Sequence, residues 1–247
     1  MSGPERVYAV GDVHGQLEKL RAVHEAIEAD LADRPVQEHA VVHIGDYVDR
    51  GPRSAGVIDF LRTGGDEGRP WINLLGNHDR MFLRYLAAPG GRDAKLREGL
   101  WWLHDNIGGV DTLRSYGLAL PDGSSEERGA ALHREARLKV PPLHFAFLAG
   151  LRRYWAWRGF YFVHAGVKPG VPLSEQVEDD LIWIRKEFLE STADHGAVIV
   201  HGHTPVDRVE DHGVRIAIDT GAGYGGPLSC VVFEDGHARV LGGHDLR

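Results

Sequence analysis

Five short blocks of the sequence set aspartate, histidine or asparagine beside glycine. They are GDVHG with Asp12 and His14, GDYVDRG with Asp46 and Asp49, GNHD with Asn77 and His78, HAG with His164, and HGHT with His203. Carboxylate, imidazole and amide oxygen together make a mixed nitrogen and oxygen donor set, suited to manganese, iron or zinc and lacking the thiolates of a structural zinc site. Asp12, His14, Asn77, His164 and His203 are too many for one ion that must also admit water and substrate. Two ions about 3.5–4 Å apart need a bridging carboxylate, and Asp46 is the candidate bridge. GDYVDRG also crowds Asp49 and Arg50 against Asp46 at the end of an apolar run, which asks what the second acid and the base are for.

The elements that must position these blocks are legible around them. The runs RVYAVGD, AVVHIGD, WINLLGN, FYFVHAG, AVIVHGH, VRIAIDTG and LSCVVFEDG are β-branched or aromatic and stop at glycine or a polar cluster, the pattern of buried strands. Between the first two, Leu17, Leu20, Val23, Ile27 and Leu31 fall at helical spacing, which predicts a βαβ unit. SAGVIDFLRTGG predicts a short second crossover helix ended by Gly64 and Gly65, and so parallel pairing of the first three strands. From 80 to 158 helical patterns replace strands, with one polar break at PDGSSEERG, and this predicts a helical insert. SEQVEDDLIWIRKEFLES reads as a further helix, and SCVVFEDGHARVLGG as a closing hairpin turning at Asp235 and Gly236. A glycine after a strand commonly serves a turn, and an aspartate commonly caps a helix. It is the recurrence of metal-ligand types at successive strand ends that carries the metal reading, because those ends share one rim in α/β folds.

Composition bounds the function. A chain of 247 residues with net charge −8 carries no global basic field of the kind that neutralises nucleic-acid phosphates, and it is long enough for one domain spanning 1–247. Cys230 is the only cysteine, so no intramolecular disulfide forms. No apolar run approaches the roughly 20 residues of a membrane span, and MSGPERVYAV has no signal-peptide pattern. The expectation is a cytoplasmic protein without nucleic-acid or membrane partners. His43 and His201, in apolar strands, read as hydrogen-bonded core residues, and His24, His133 and His237 as ordinary surface or helix residues. Trp183 and the pair Trp101 and Trp102 read as core or pocket wall.

The ordered set GDVHG, GDYVDRG, GNHD, HAG and HGHT resembles the PPP family of metal-dependent serine/threonine protein phosphatases, within the calcineurin-like metallophosphoesterases. LIWIRKE and IDTGAGYGGPLSCVVF are similar to segments of its compact bacterial and phage members. The resemblance implies an α/β fold, a four-layer αββα sandwich carrying the helical insert. It implies that Asp12, His14 and Asp46 hold one divalent ion, and that Asp46, Asn77, His164 and His203 hold the other, with manganese expected and iron or zinc as alternatives. His78 would be the general acid oriented by Asp49, with Arg50 and Arg185 binding the phosphate. Such an arrangement needs no cysteine or serine nucleophile, since a water shared by two divalent ions ionises near neutral pH. Arginine suits the phosphate because its planar fork donates two parallel hydrogen bonds.

Two substrate classes follow from the resemblance. GDYVDRG keeps an acid at Asp49 and HGHT has Thr204, both of which favour hydrolysis of phosphoserine and phosphothreonine in a phosphoprotein or phosphopeptide partner. GNHD and GAGYGG also resemble the symmetrical diadenosine tetraphosphatases, and Asp79 stands where many protein phosphatases of the family carry glutamate. A dinucleoside tetraphosphate or related nucleotide is therefore the alternative substrate. A metal-binding scaffold without turnover is a third reading, opposed by the presence of His78, Asp49 and both arginines.

Overall fold

The structure, a computed structural model, describes residues 3–119, 126–243 and 245–246, so that 121–125 of the expected polar break lie outside the described residues. The chain opens with β1 (Arg6–Val10), α1 (Leu17–Asp33), β2 (His39–His43), α2 (Ser54–Asp66) and β3 (Trp71–Asn73). Four helices follow, α3 (Asn77–Ala87), α4 (Gly109–Ser115), α5 (Glu126–Lys139) and α6 (Pro142–Ala149), and then β4 (Tyr154–Trp157) and β5 (Phe160–Val163). The remainder is α7 (Glu178–Trp183), α8 (Lys186–Leu189), β6 (Val198–His201), β7 (Glu210–Asp211), β8 (Arg215–Ala217), β9 (Cys230–Glu234) and β10 (His237–Val240).

Two five-stranded sheets, ordered β10-β9-β1-β2-β3 and β4-β5-β6-β8-β7, face one another. As expected, β1, β2 and β3 pair in parallel, with Val7 opposite Ala40 and Val42 opposite Ile72. Side chains alternate across a strand, and here the alternation feeds two cores. Val7 and Ala9 of β1 join Phe160 and Phe162 of β5, with Ile216, Val231 and Phe233, in the layer between the sheets. Tyr8 and Val10 turn outward to meet Leu17, Leu20 and Ile27 of α1 and Ile58 and Leu61 of α2. On the far side Tyr161 and Val163 join Leu181, Ile182 and Phe188. This is the four-layer arrangement expected, and it explains why the strands read as continuous apolar runs. Each buried Val, Leu, Ile or Phe is worth about 1.5–3 kcal/mol, and a one-residue slip of β1 would exchange its two faces. The Tyr8 hydroxyl, donating to Asp30 of α1 at 2.7 Å, fixes that register from the helix side.

Several expectations are corrected. The stretch 80–158 is not helical to its end, because Tyr154–Trp157 forms the edge strand β4, paired antiparallel to β5; its four aromatic and alanine residues carry no helical period. Gly64 and Gly65 do not end α2, which runs to Asp66. Gly64 instead makes room for Trp71, whose ring would lie 1.9 Å from a Cβ there. The stretch read as one helix from Ser174 is broken into α7 and α8, with Arg185 between them at φ −133 and ψ −99. His24 in α1 and His133 in α5 are helix residues, one of the two readings expected, and both are buried. Nε2 of His24 lies 3.0 Å from Nε2 of His43, whose Nδ1 donates to Asn73 at 2.8 Å. The closing hairpin is present, with Asp235 and Gly236 both at positive φ. Among the described residues no helix is long and apolar enough to cross a membrane.

Candidate metal centre

The five blocks converge at the carboxyl ends of β1, β2, β3, β5 and β6, across both sheets. The backbone there is strained. Of seven non-glycine residues at positive φ among the described residues, five belong to the blocks: His14 at 44°, Asp46 at 53°, Asp49 at 72°, Arg50 at 66° and His203 at 64°. A left-handed non-glycine residue costs on the order of 1–3 kcal/mol and persists only where its surroundings hold it. Asp79 supplies much of that hold. Its Oδ2 accepts from the backbone N–H of Asp46 at 2.9 Å and of Gly76 at 3.0 Å, and its Oδ1 from that of Tyr47 at 2.9 Å. A Cβ on Gly76 would lie 2.2 Å from Oδ1 of Asp46, so this approach admits only glycine.

Asp46 sits between two histidine clusters and divides its oxygens between them. Oδ2 lies 3.5 Å from Nε2 of His14, and Oδ1 lies 3.4 Å from Nε2 of His164. One group of potential ligands comprises His14, Asp46 and His78, and the other Asp46, His164 and His203. The histidines are oriented by their second nitrogens: Nδ1 of His14 donates to the Val48 carbonyl at 2.8 Å, and Nδ1 of His164 to that of Ile44 at 3.0 Å. This leaves both Nε2 atoms as lone-pair carriers, the form a metal requires. Nε2 of His164 faces Oδ1 of Asn77 at 2.9 Å, so two acceptors aim at one point. Asp12 lies outside both groups. Its Oδ2 accepts from the backbone N–H of His203 at 3.0 Å.

The donor set fits divalent ions on two grounds. Nε2 of His203 and Oδ1 of Asp12 are buried with no hydrogen-bond partner, and orphaned buried polar atoms of this kind are rare unless something else satisfies them. The electrostatics point the same way. Burial, then Asp219 and Asp46, push the Asp12 carboxyl well up, while burial, then Arg50, pushes the His14 imidazole well down. Burial also holds His164 at about 3. Crowded carboxylates beside neutral imidazoles are what a site short of positive charge looks like, and bound cations reverse that balance.

His78 begins α3 and its backbone N–H donates to Oδ1 of Asp46 at 2.9 Å. Its Nδ1 donates to Oδ2 of Asp49 at 2.6 Å, the orienting contact expected. Asp49 is wholly buried and accepts further from Trp102 Nε1 at 3.0 and 2.9 Å and from Thr112 Oγ1 at 2.8 Å. Burial, then Arg50 and His14, hold the His78 imidazole well below its ordinary value, because a buried cation beside another cation is penalised twice. Arg50 donates to Nε2 of His14, and to Nε2 of His78 at 3.1 Å, and its guanidinium lies over the Tyr224 ring at 4.6 Å. Arg185 is exposed and makes no ion pair among the described residues, yet its charge acts on Asp46, His164 and His203.

Four positioning roles escaped sequence reasoning. Trp102, read as core or pocket wall, and Thr112, not singled out, come from 80–158 and hold Asp49. Asp79 positions Asp46 through three backbone bonds. Asp219 adds a further carboxylate whose charge acts on Asp12 and Asp46. Asp219, in IDTG directly after a strand, shared the signal of the five blocks, and Asp79 lies inside one of them, GNHD.

Bis(5'-nucleosyl)-tetraphosphatase, symmetrical, of Pseudomonas syringae pv. tomato is 28% identical over 181 residues, covering 72% of this chain and 49% of its own length. This chain therefore spans about half of that relative. Bis(5'-nucleosyl)-tetraphosphatase PrpE [asymmetrical] of Geobacillus thermodenitrificans is 26% identical over 242 residues, covering 92% of this chain and 89% of its own. A crystal structure provisionally described as a diadenosine tetraphosphatase superposes with a TM-score of 0.64 at 22% identity, covering 96% of this chain and 93% of that one, and so shares the fold. The family model described as calcineurin-like phosphoesterase matches residues 5–247, and the chain belongs to that metal-dependent family.

Proposed function

We propose that the chain hydrolyses dinucleoside polyphosphates, the alternative rather than the leading expectation from sequence. The observation that carries the substrate class is that bis(5'-nucleosyl)-tetraphosphatases match, one of them over most of its length. Of the two features that favoured a phosphoprotein, Asp49 does not discriminate. Asp49 is committed to His78, Trp102 and Thr112 with no exposed surface, so it meets no substrate.

Asp12, His14 and Asp46 would hold one divalent ion, and Asp46, Asn77, His164 and His203 the other, with Asp46 bridging. Bound there, such ions supply Lewis-acid polarisation of the phosphate and of the attacking water. Manganese suits this nitrogen and oxygen set, as do iron and zinc. Arg50 and Arg185 bind phosphoryl oxygens, and charge stabilisation of this kind is most of what phosphoryl transfer asks of an enzyme. His78 manages the proton at Nε2, with Asp49 fixing the tautomer through Nδ1.

The test is a comparison of kcat/KM, with manganese supplied, on diadenosine tetraphosphate, a phosphoserine peptide and p-nitrophenyl phosphate. The dinucleotide is expected to lead, and chromatography of its products separates symmetrical from asymmetrical cleavage. A higher kcat/KM for the phosphopeptide overturns the proposal.

A further inference from the structure

We propose that Tyr224 forms a nucleobase-stacking site at the rim of the metal centre. The inference rests on the dinucleotide reading above and deepens it by assigning the base a place. Tyr224 closes a 3₁₀ turn, Ala222–Tyr224, flanked by Gly221 and Gly225 in the left-handed conformation. The turn is tied down. Lys19 of α1 donates to the carbonyls of Ala222 at 3.2 Å and of Gly226 at 2.6 Å. Gly223 lies directly on His14, so that a Cβ there would meet the ring at 2.8 Å. A loop fastened at both sides and pressed against a candidate ligand presents its tip in a fixed place.

That tip is an aromatic ring 65% exposed to solvent. One face is covered by the Arg50 guanidinium at 4.6 Å, a cation–π contact that sets the ring's orientation. The other face is open. Arg50 reaches Nε2 of both His14 and His78, so the side chain assigned to the phosphate and the open ring are adjacent. A ligand carrying a phosphate and a flat heteroaromatic group can engage both at once, and every nucleobase offers such a face. An aliphatic phosphoserine side chain cannot. The tyrosine hydroxyl has no role in this stack, which the test uses.

The metal-loaded full chain is assayed for KM on diadenosine tetraphosphate and on inorganic tripolyphosphate, which has the phosphates without a base. Dissociation constants for adenosine monophosphate and orthophosphate are measured alongside by equilibrium dialysis. Tyr224→Ala should weaken the dinucleotide roughly tenfold more than tripolyphosphate, the order that loss of one base–aromatic stack produces. It should weaken adenosine monophosphate relative to orthophosphate by a similar factor. Tyr224→Phe should preserve both ratios. An equal loss on both members of each pair overturns the stacking site, since Tyr224 would then only orient Arg50. A wild type that prefers the phosphopeptide fails the preceding test by itself, whereas a dinucleotide-preferring wild type with an unselective Tyr224→Ala fails only this one.

Discussion

Replacing Asp49 separates its two duties, holding the fold of the rim and serving His78. In Asp49→Ala the donors on His78 Nδ1 and Trp102 Nε1 lose their acceptor in a buried setting, while Thr112 can turn its hydroxyl to Ser54, 3.2 Å away. Each stranded donor costs about 1–3 kcal/mol, so the loss is roughly 2–6 kcal/mol and the melting temperature falls by about 4–24 °C for a chain of this size. Asp49→Asn is different. Its carbonyl oxygen can keep His78 and Trp102, and its amide can donate to Thr112, so stability should stay within about 1 kcal/mol of wild type. What is lost is the charge on the His78 bond. A charge-assisted bond is roughly twice as strong as a neutral one, a difference of about 1.5 kcal/mol, or close to tenfold in the imidazolium population. The assay is kcat across a series of aryl phosphates whose leaving groups run from nitrophenolate to the more basic phenolate. Asp49→Asn should lose about tenfold more on the basic leaving groups than on nitrophenolate, and His78→Asn more again, up to the 10²–10⁴-fold of acid–base catalysis. An equal loss along the series at wild-type metal content would refute the proton role and reassign the pair to positioning.

The other expectations are shorter. Asp46→Asn should lower metal content at both sites, because one side chain divides its oxygens between the two histidine clusters; elemental analysis showing two ions per chain with full activity would contradict the bridge. Arg185→Lys should reduce kcat/KM by about tenfold or more with metal content unchanged, since a point charge cannot reproduce a bidentate fork; activity within about twofold of wild type would remove Arg185 from the site. Outside the site, burial and Arg69 hold His24 at about 4. Its folded value lies below the unfolded one, so the unfolded chain binds the proton more tightly and stability is lost as pH falls from about 6.5 toward 4, by up to about 3 kcal/mol. His24→Gln should flatten that part of the stability–pH curve, and an unchanged slope from denaturant melts would place the acid sensitivity elsewhere.

The sequence by itself determined what local pattern controls. Continuous β-branched or aromatic runs and their abrupt glycine or polar stops located seven strands, and the residue types at their ends named the candidate ligands, because strand formation and ligand chemistry both reside in a few consecutive residues. Local pattern erred where distant contacts prevailed. Gly64 reads as a helix end but serves Trp71, and YWAW reads as part of an insert but pairs with β5. Only the tertiary structure decided which atoms of the candidate residues face one another. Trp102 and Thr112 reach Asp49 across 53 and 63 positions, Asp79 holds Asp46 through backbone donors, and the break between α7 and α8 releases Arg185 from a helix. The division of the Asp46 oxygens belongs here too. Hydrogen bonds and fields depend on distance in space, and for groups this far apart along the chain that distance is set by how two sheets and their helices pack, which no short stretch encodes.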